Sequence, residues 1–121
     1  MRIVLNGARG KVGSVLGPAL EAAGHTLVDR LDGAEAMIDF TRPDAVVGNV
    51  DAAVAAGVPC VVGTSGADLT AVGERARRAG LPVFHAPNFA LGAVLMMRFA
   101  AEAAAHFPRA EIGRASCRER V

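Results

Sequence analysis

Three glycines, Gly7, Gly10 and Gly13, stand three residues apart directly after the apolar run R-I-V-L-N at the start of the chain. Between a strand and a helix, such glycines let the main chain approach a pyrophosphate, and the helix start supplies free N–H groups and the positive end of its dipole. The spacing is G-x-x-G-x-x-G rather than G-x-G-x-x-G, which implies a slightly wider loop. Folds of this kind place an acid at the end of the second strand, about 20 residues onward, where it accepts hydrogen bonds from the adenosine ribose. Both Asp29 and Asp32 fall in that window. Arg9, Lys11 and Arg30 are either cations within reach of a 2′-phosphate or solvated surface charges, and the mixture predicts tolerance of both NADH and NADPH.

Further candidates lie at the carboxyl ends of the later apolar runs: Asp39-Phe40-Thr41, Gly63-Thr64-Ser65-Gly66 and Ala86-Pro87-Asn88-Phe89. Ligands of open α/β sheets bind along that edge. Thr41 with Asp44, and Ser65 with Asp68, also have the spacing of capping boxes, so these hydroxyls are expected at helix starts as well. His85 is a proton-donor candidate by position, but a lone His without an acidic or nucleophilic partner is more often packed or exposed. His25 and His106 have less to recommend them. Met96 and Met97 have core spacing, and Cys60 reads as buried and inert. No catalytic residue and no metal site is assigned.

Apolar runs bounded by Gly or Pro alternate with amphipathic stretches along the chain, the pattern of βαβ units around a parallel sheet. Strands are expected at residues 2–6, 26–31, 36–40, 58–63 and 81–86. Helices are expected at 11–23, 45–56, 65–79 and 91–107, the last ended by Pro108. In the first helix Val12, Val15, Leu16, Ala19, Leu20 and Ala23 form the apolar face. Pro18 lies inside it and predicts a kink or a shorter helix. The fold class is α/β: a Rossmann-like, doubly wound parallel sheet in three αβα layers, forming one incomplete domain.

Composition narrows the function classes. The 121 residues suffice for one domain of ordinary size. Aliphatic residues carry the core, since 52% of the chain is hydrophobic and only 4% aromatic. Thirteen basic and twelve acidic residues leave a formal charge of +1, without a basic stripe to track nucleic acid. Cys60 and Cys117 lack metal-ligand spacing and suit a reducing cytoplasm. No run of about 20 apolar residues is present to span a bilayer, and the N-terminus lacks a signal-peptide pattern.

The last stretch, E-I-G-R-A-S-C-R-E-R-V, has neither strand alternation nor helical periodicity. One back-translation of it matches, from its second base, a common short-read sequencing adapter whose next codon in that frame is a stop. Residues 1–110 are therefore expected to be a truncated NAD(P)-binding domain and residues 111–121 translated adapter. Without that tail ten basic and ten acidic residues remain.

Taken together, G-A-R-G-K-V-G, M-I-D-F-T-R-P-D-A-V-V-G-N-V, V-V-G-T-S-G and A-P-N-F-A-L-G-A-V-L-M-M resemble the N-terminal cofactor-binding portion of the 4-hydroxy-tetrahydrodipicolinate reductase (dihydrodipicolinate reductase) family. The resemblance runs from residue 1 to about residue 112. It implies NAD(P)H-dependent reduction of 4-hydroxy-tetrahydrodipicolinate to tetrahydrodipicolinate, a step of lysine and diaminopimelate biosynthesis in the cytoplasm. It also implies that Gly7, Ala8, Arg9, Gly10, Lys11 and Val12 hold the pyrophosphate and that Asp32 meets the adenosine ribose. The nicotinamide side would be met by Gly63, Thr64 and Ser65 together with Ala86, Pro87, Asn88 and Phe89. For the full-length enzyme the implied partners are a cyclic dicarboxylate substrate and three further copies in a homotetramer, with no nucleic acid and no membrane. The family's substrate segment, of the type E-L-H-H-x-x-K-x-D-x-P-S-G-T, is not in this sequence, so the fragment alone is expected to be inactive. The sequence departs from the family pattern in a short turn between Asp32 and Ala36, in Ser65 where Thr is frequent, and in Pro18. The alternatives are the coenzyme A-binding domain of an acyl-CoA ligase and another Rossmann dehydrogenase.

Overall fold

The computed structural model describes residues 1–107. Pro108, the adapter-like stretch 111–121 and its Cys117 lie outside the described residues. The chain divides into two compact units, Met1–Pro87 and a second that begins at Asn88.

The first unit is a five-stranded sheet in the order β2-β1-β3-β4-β5, formed by β1 (Arg2–Asn6), β2 (Thr26–Val28), β3 (Ala36–Asp39), β4 (Cys60–Val62) and β5 (Val83–His85). All four pairings are parallel, with Ile3 opposite both Leu27 and Ala36, and Val61 opposite both Ile38 and Phe84. The helices are α1 (Gly13–Ala22), α2 (Pro43–Ala55) and α3 (Thr70–Arg78). From β1 the chain first moves outward to β2, then returns past β1 to β3 and continues the other way. Right-handed crossovers then put α1 on one face and α2 with α3 on the other, which gives the three layers expected. The reversal between β1 and β3 is the switch point at which such sheets open a crevice at their carboxyl edge.

The core lies under α2 and α3. Val46, Val50 and Ala53, at i, i+4 and i+7 of α2, are fully buried on Met37, Val58, Cys60, Val62 and Val72. Four strands are shorter than expected, β3 by a single residue, because an apolar run reports burial and not pairing. Val58 leaves the ladder yet stays in the core, and Leu31 packs against it.

Two helix starts differ from expectation. The N-cap of α2 is Arg42, without a side-chain cap, and Pro43 occupies the first turn where its missing N–H costs nothing. Asp44 in that turn suits the helix dipole and pairs with Arg42 at 2.7 Å. Helix α3 begins at Thr70 rather than near Ser65, and Asp68 accepts a hydrogen bond from the Thr70 amide at 2.9 Å just before it. Hydrogen bonding from the Thr70 side chain first, and then from its amide, holds the exposed Asp68 carboxyl below its ordinary range.

Helix α1 also differs. It continues through Pro18, which is exposed, so the Ser14 carbonyl that loses its partner faces water. Its buried residues are Gly13 and Gly17, while Val12 and Val15 of the expected apolar face are exposed.

The second unit contains α4 (Leu91–Ala104), which ends three residues before the expected boundary at Phe107. Asn88 accepts a hydrogen bond from the Ala90 amide at 3.0 Å and turns the chain into this helix. Among the described residues no helix is long and apolar enough to cross a membrane.

Candidate functional site

The loop from β1 to α1 is shaped by backbone crowding. Gly7 has φ +84° and lies against the Phe40 carbonyl, where a side chain would collide with backbone. Gly13 is packed as tightly on the Gly7 carbonyl and on Ala8. These two glycines are therefore required by the turn itself. Gly10 closes the turn by donating to the Gly7 carbonyl at 2.8 Å. Its open side faces the cleft.

That cleft, about 440 Å³, is lined by Gly10, Lys11 and Val12 on one wall and by Phe40, Thr41, Pro43, Gly63, Thr64 and Ser65 on the other. It lies at the carboxyl ends of β1, β3 and β4, beside the switch point. The Phe40 ring rests directly on Gly63, so that any Cβ at position 63 would occupy the ring's place. Gly63 in turn donates to the Asp39 carbonyl at 2.9 Å, which continues the ladder to the cleft floor.

Behind the second wall sits Asp39, fully buried. Its Oδ1 accepts from the Thr41 amide at 3.1 Å, the Thr41 hydroxyl at 2.8 Å and the Thr64 hydroxyl at 2.7 Å. Its Oδ2 accepts from Asn49 Nδ2 of α2 at 2.7 Å. Thr64 Oγ1 accepts from the Thr41 amide at 2.7 Å. No salt bridge compensates this carboxylate among the described residues, so the donors alone offset its desolvation. Nearby Cys60 has its thiol pushed up to about 11, first by burial and then by the Asp39 charge, and is inert as a nucleophile. The Thr41 hydroxyl expected to cap α2 is thus turned to Asp39.

The remaining sequence candidates are dispersed. Ala8 and Arg9 are exposed and outside the cleft lining. Asp32 lines a second groove of about 550 Å³ with Arg2, Leu27, Val28, Asp29 and Arg30, and the Arg2 guanidinium lies over Gly33. Ala86 and Pro87 follow β5, with the Ala86 amide donating to the Val62 carbonyl at 3.3 Å. Asn88 and Phe89 belong to the second unit. His85 is exposed and borders a third hollow with Leu69, Gly73, Ala76, Arg77, Leu81 and Val83. Among the described residues no cluster of His, Cys, Asp and Glu could hold a metal ion.

Sequence reasoning did not assign the cleft contribution of Pro43 or the role of Asp39. The available signal for Asp39 was a single carboxylate inside the otherwise apolar run A-M-I-D-F, which a buried strand accepts only if donors surround it.

The family model described as "Dihydrodipicolinate reductase, N-terminus" matches residues 25–89, more than half of the chain. A 4-hydroxy-tetrahydrodipicolinate reductase from Beutenbergia cavernae is 42% identical over 93% of this chain and 51% of its own length. One from Mycobacterium ulcerans is 41% identical over 93% of this chain and 52% of its own length. The chain thus spans about half the length of these curated relatives. Among solved structures, a dipicolinate-bound dihydrodipicolinate reductase from a Paenisporosarcina species superposes with a TM-score of 0.68 at 27% identity, covering 89% of this chain and 55% of that one.

Proposed function

Because the chain belongs to the dihydrodipicolinate reductase family, we propose that it is the nucleotide-binding portion of a 4-hydroxy-tetrahydrodipicolinate reductase and holds NADPH or NADH along its carboxyl-edge cleft. The observation that carries this reading is the convergence of Gly10, Lys11 and Val12 with Phe40, Thr41, Gly63, Thr64 and Ser65 on one cleft. The donor set suits the cofactor. The Gly10, Ser14 and Val15 amides are turned back onto the Gly7, Gly10 and Val12 carbonyls, so the Lys11-Val12-Gly13 stretch at the positive end of α1, together with the Lys11 ammonium group, is what meets a pyrophosphate. Asp32 and Asp29 meet the adenosine ribose in the neighbouring groove, where Arg2 and Arg30 can also balance a 2′-phosphate. That mixed charge supports use of both cofactors. Within the first unit, the nicotinamide would lie toward Gly63, Thr64 and Ser65 with Ala86 and Pro87. The bound reduced nicotinamide supplies the hydride for the substrate, a cyclic dicarboxylate. What the chain itself does is bind, orient and keep water from one face of the ring, with Phe40 as the apolar floor.

Substrate binding, proton delivery and assembly as a homotetramer belong to the full length of such an enzyme, working in the cytoplasm and without nucleic acid or membrane. Titration of the 121-residue chain with NADPH and NADH, with coenzyme A as control, tests the reading by thermal unfolding. At a concentration about 100 times Kd, stabilisation of about 2.7 kcal/mol raises Tm on the order of 10 °C. A shift with coenzyme A and none with either nicotinamide cofactor would overturn it.

A further inference from the structure

The two walls of the cleft differ in the hydrogen-bonding role they can play. An ionised carboxylate only accepts, so each hydroxyl in contact with Asp39 must spend its single proton there. Thr41 Oγ1 and Thr64 Oγ1 both do so, at 2.8 and 2.7 Å. The Thr41 amide proton is also turned inward, to Thr64 Oγ1 and Asp39 Oδ1. Thr64 is 5% exposed, and its hydroxyl donates one bond and accepts one, so burial withholds it from a ligand. Thr41 lines the cleft and is only half-buried, so its hydroxyl oxygen can offer a ligand lone pairs and nothing else. The opposite wall carries Lys11, whose ammonium group offers protons and positive charge and accepts nothing.

From this we infer that Thr41, polarised by the buried Asp39, is a specificity-determining acceptor that takes a neutral donor of the ligand, an amide N–H or a sugar hydroxyl, and disfavours an anionic oxygen. An anion at this wall would meet lone pairs with no proton to share, and the Asp39 charge lies just behind. The cleft thereby fixes which way a dinucleotide lies: phosphates toward Gly10 and Lys11, uncharged polar groups toward Thr41. The inference rests on the cofactor reading for the identity of the ligand, but the polarity of the wall is a property of the free chain.

The test combines two measurements on the 121-residue chain. In the ligand-free protein, proton NMR should show two slowly exchanging threonine hydroxyl resonances, one of which disappears in Thr41→Val. In binding, Thr41→Val should weaken NADH about tenfold, the size of one hydrogen bond to a polarised group, and leave ADP within about twofold. Thr41→Ser, which keeps the hydroxyl, should restore NADH affinity. The analogue whose carboxamide is replaced by an acetyl group separates the donors. If it is insensitive to Thr41→Val the donor is the amide, and if it weakens in parallel with NADH the donor is a sugar hydroxyl. Unchanged NADH affinity in Thr41→Val, or an equal loss for ADP, would overturn the inference. Hydroxyl resonances without any NADH binding would remove the cofactor reading and leave the polarised wall standing. Binding without those resonances would do the reverse.

Discussion

The two faces of the sheet are built by opposite means. Under α2 and α3, side chains fill the space: Met37, Val46, Val50, Val62 and Val72 are the large apolar residues fully buried there. Each contributes on the order of 1.5 to 3 kcal/mol by leaving water. Under α1, the missing side chains matter. Gly13 and Gly17 are the buried residues of that helix, and the exposed Val12 and Val15 add little. The helix can therefore bring its start against the Gly7 turn, beside the Gly10, Lys11 and Val12 wall of the cleft. One face holds the fold together, and the other gives up apolar burial for close approach of the main chain at the site.

Gly13→Ala should break this division most severely. Its Cβ would lie inside the Gly7 carbonyl and Ala8 backbone, neither of which can rotate away. A loss above about 4 kcal/mol is expected, read as disappearance of the cooperative thermal transition. On the other face Met37→Ala leaves a cavity beneath α2 and should cost about 3 kcal/mol in urea unfolding, with the denaturant slope unchanged.

The dense face should also reveal itself through pH. Cys60 keeps its proton in the folded chain up to about 11, whereas an ordinary thiol releases it near 9.0. Below the ordinary value the two states bind the proton alike and stability is undiminished. Above it the unfolded chain ionises first, so stability falls as pH rises through that window, by about 2 to 3 kcal/mol in all. Urea unfolding across the alkaline range should show this slope, and Cys60→Ala should flatten it.

Gly17→Ala is the gentlest change and sharpens the contrast within one helix. Its Cβ would meet the tips of Leu27 and Leu5 at 3.5 and 3.6 Å, ordinary contact distances. Alanine's better helix propensity should then raise stability by about 0.5 to 1 kcal/mol, measurable as a higher Tm. A loss instead would mean that the whole of α1, and not its first turn alone, depends on glycine.

Much of this architecture was legible in the chain because it depends on local patterns. Alternating apolar runs and Gly or Pro stops specify the βαβ order, and the spacing of Gly7, Gly10 and Gly13 after the first strand marks the turn. The contributions of Gly63, Thr64 and Ser65 followed from the rule that ligands sit at strand carboxyl ends. Strand limits were less legible, since Val58 and Leu31 are apolar for packing and not for pairing. Thr41 was the least legible residue. Its spacing from Asp44 is that of a cap, yet its hydroxyl serves a carboxylate two residues earlier.

The sequence by itself determined the order of elements, the class of fold, the position of the glycine turn and the family, because each is encoded in residue types at short, regular separations. Tertiary structure alone decided that Thr64, far along the chain, shares Asp39 with Thr41, that Asp32 lines a groove with Arg2, and that Lys11 and Thr41 line one cleft. The physical reason is competition. A helix start can draw its missing partners from water, whereas a buried carboxylate cannot, so the hydroxyls go to Asp39 once the sheet has brought them within reach.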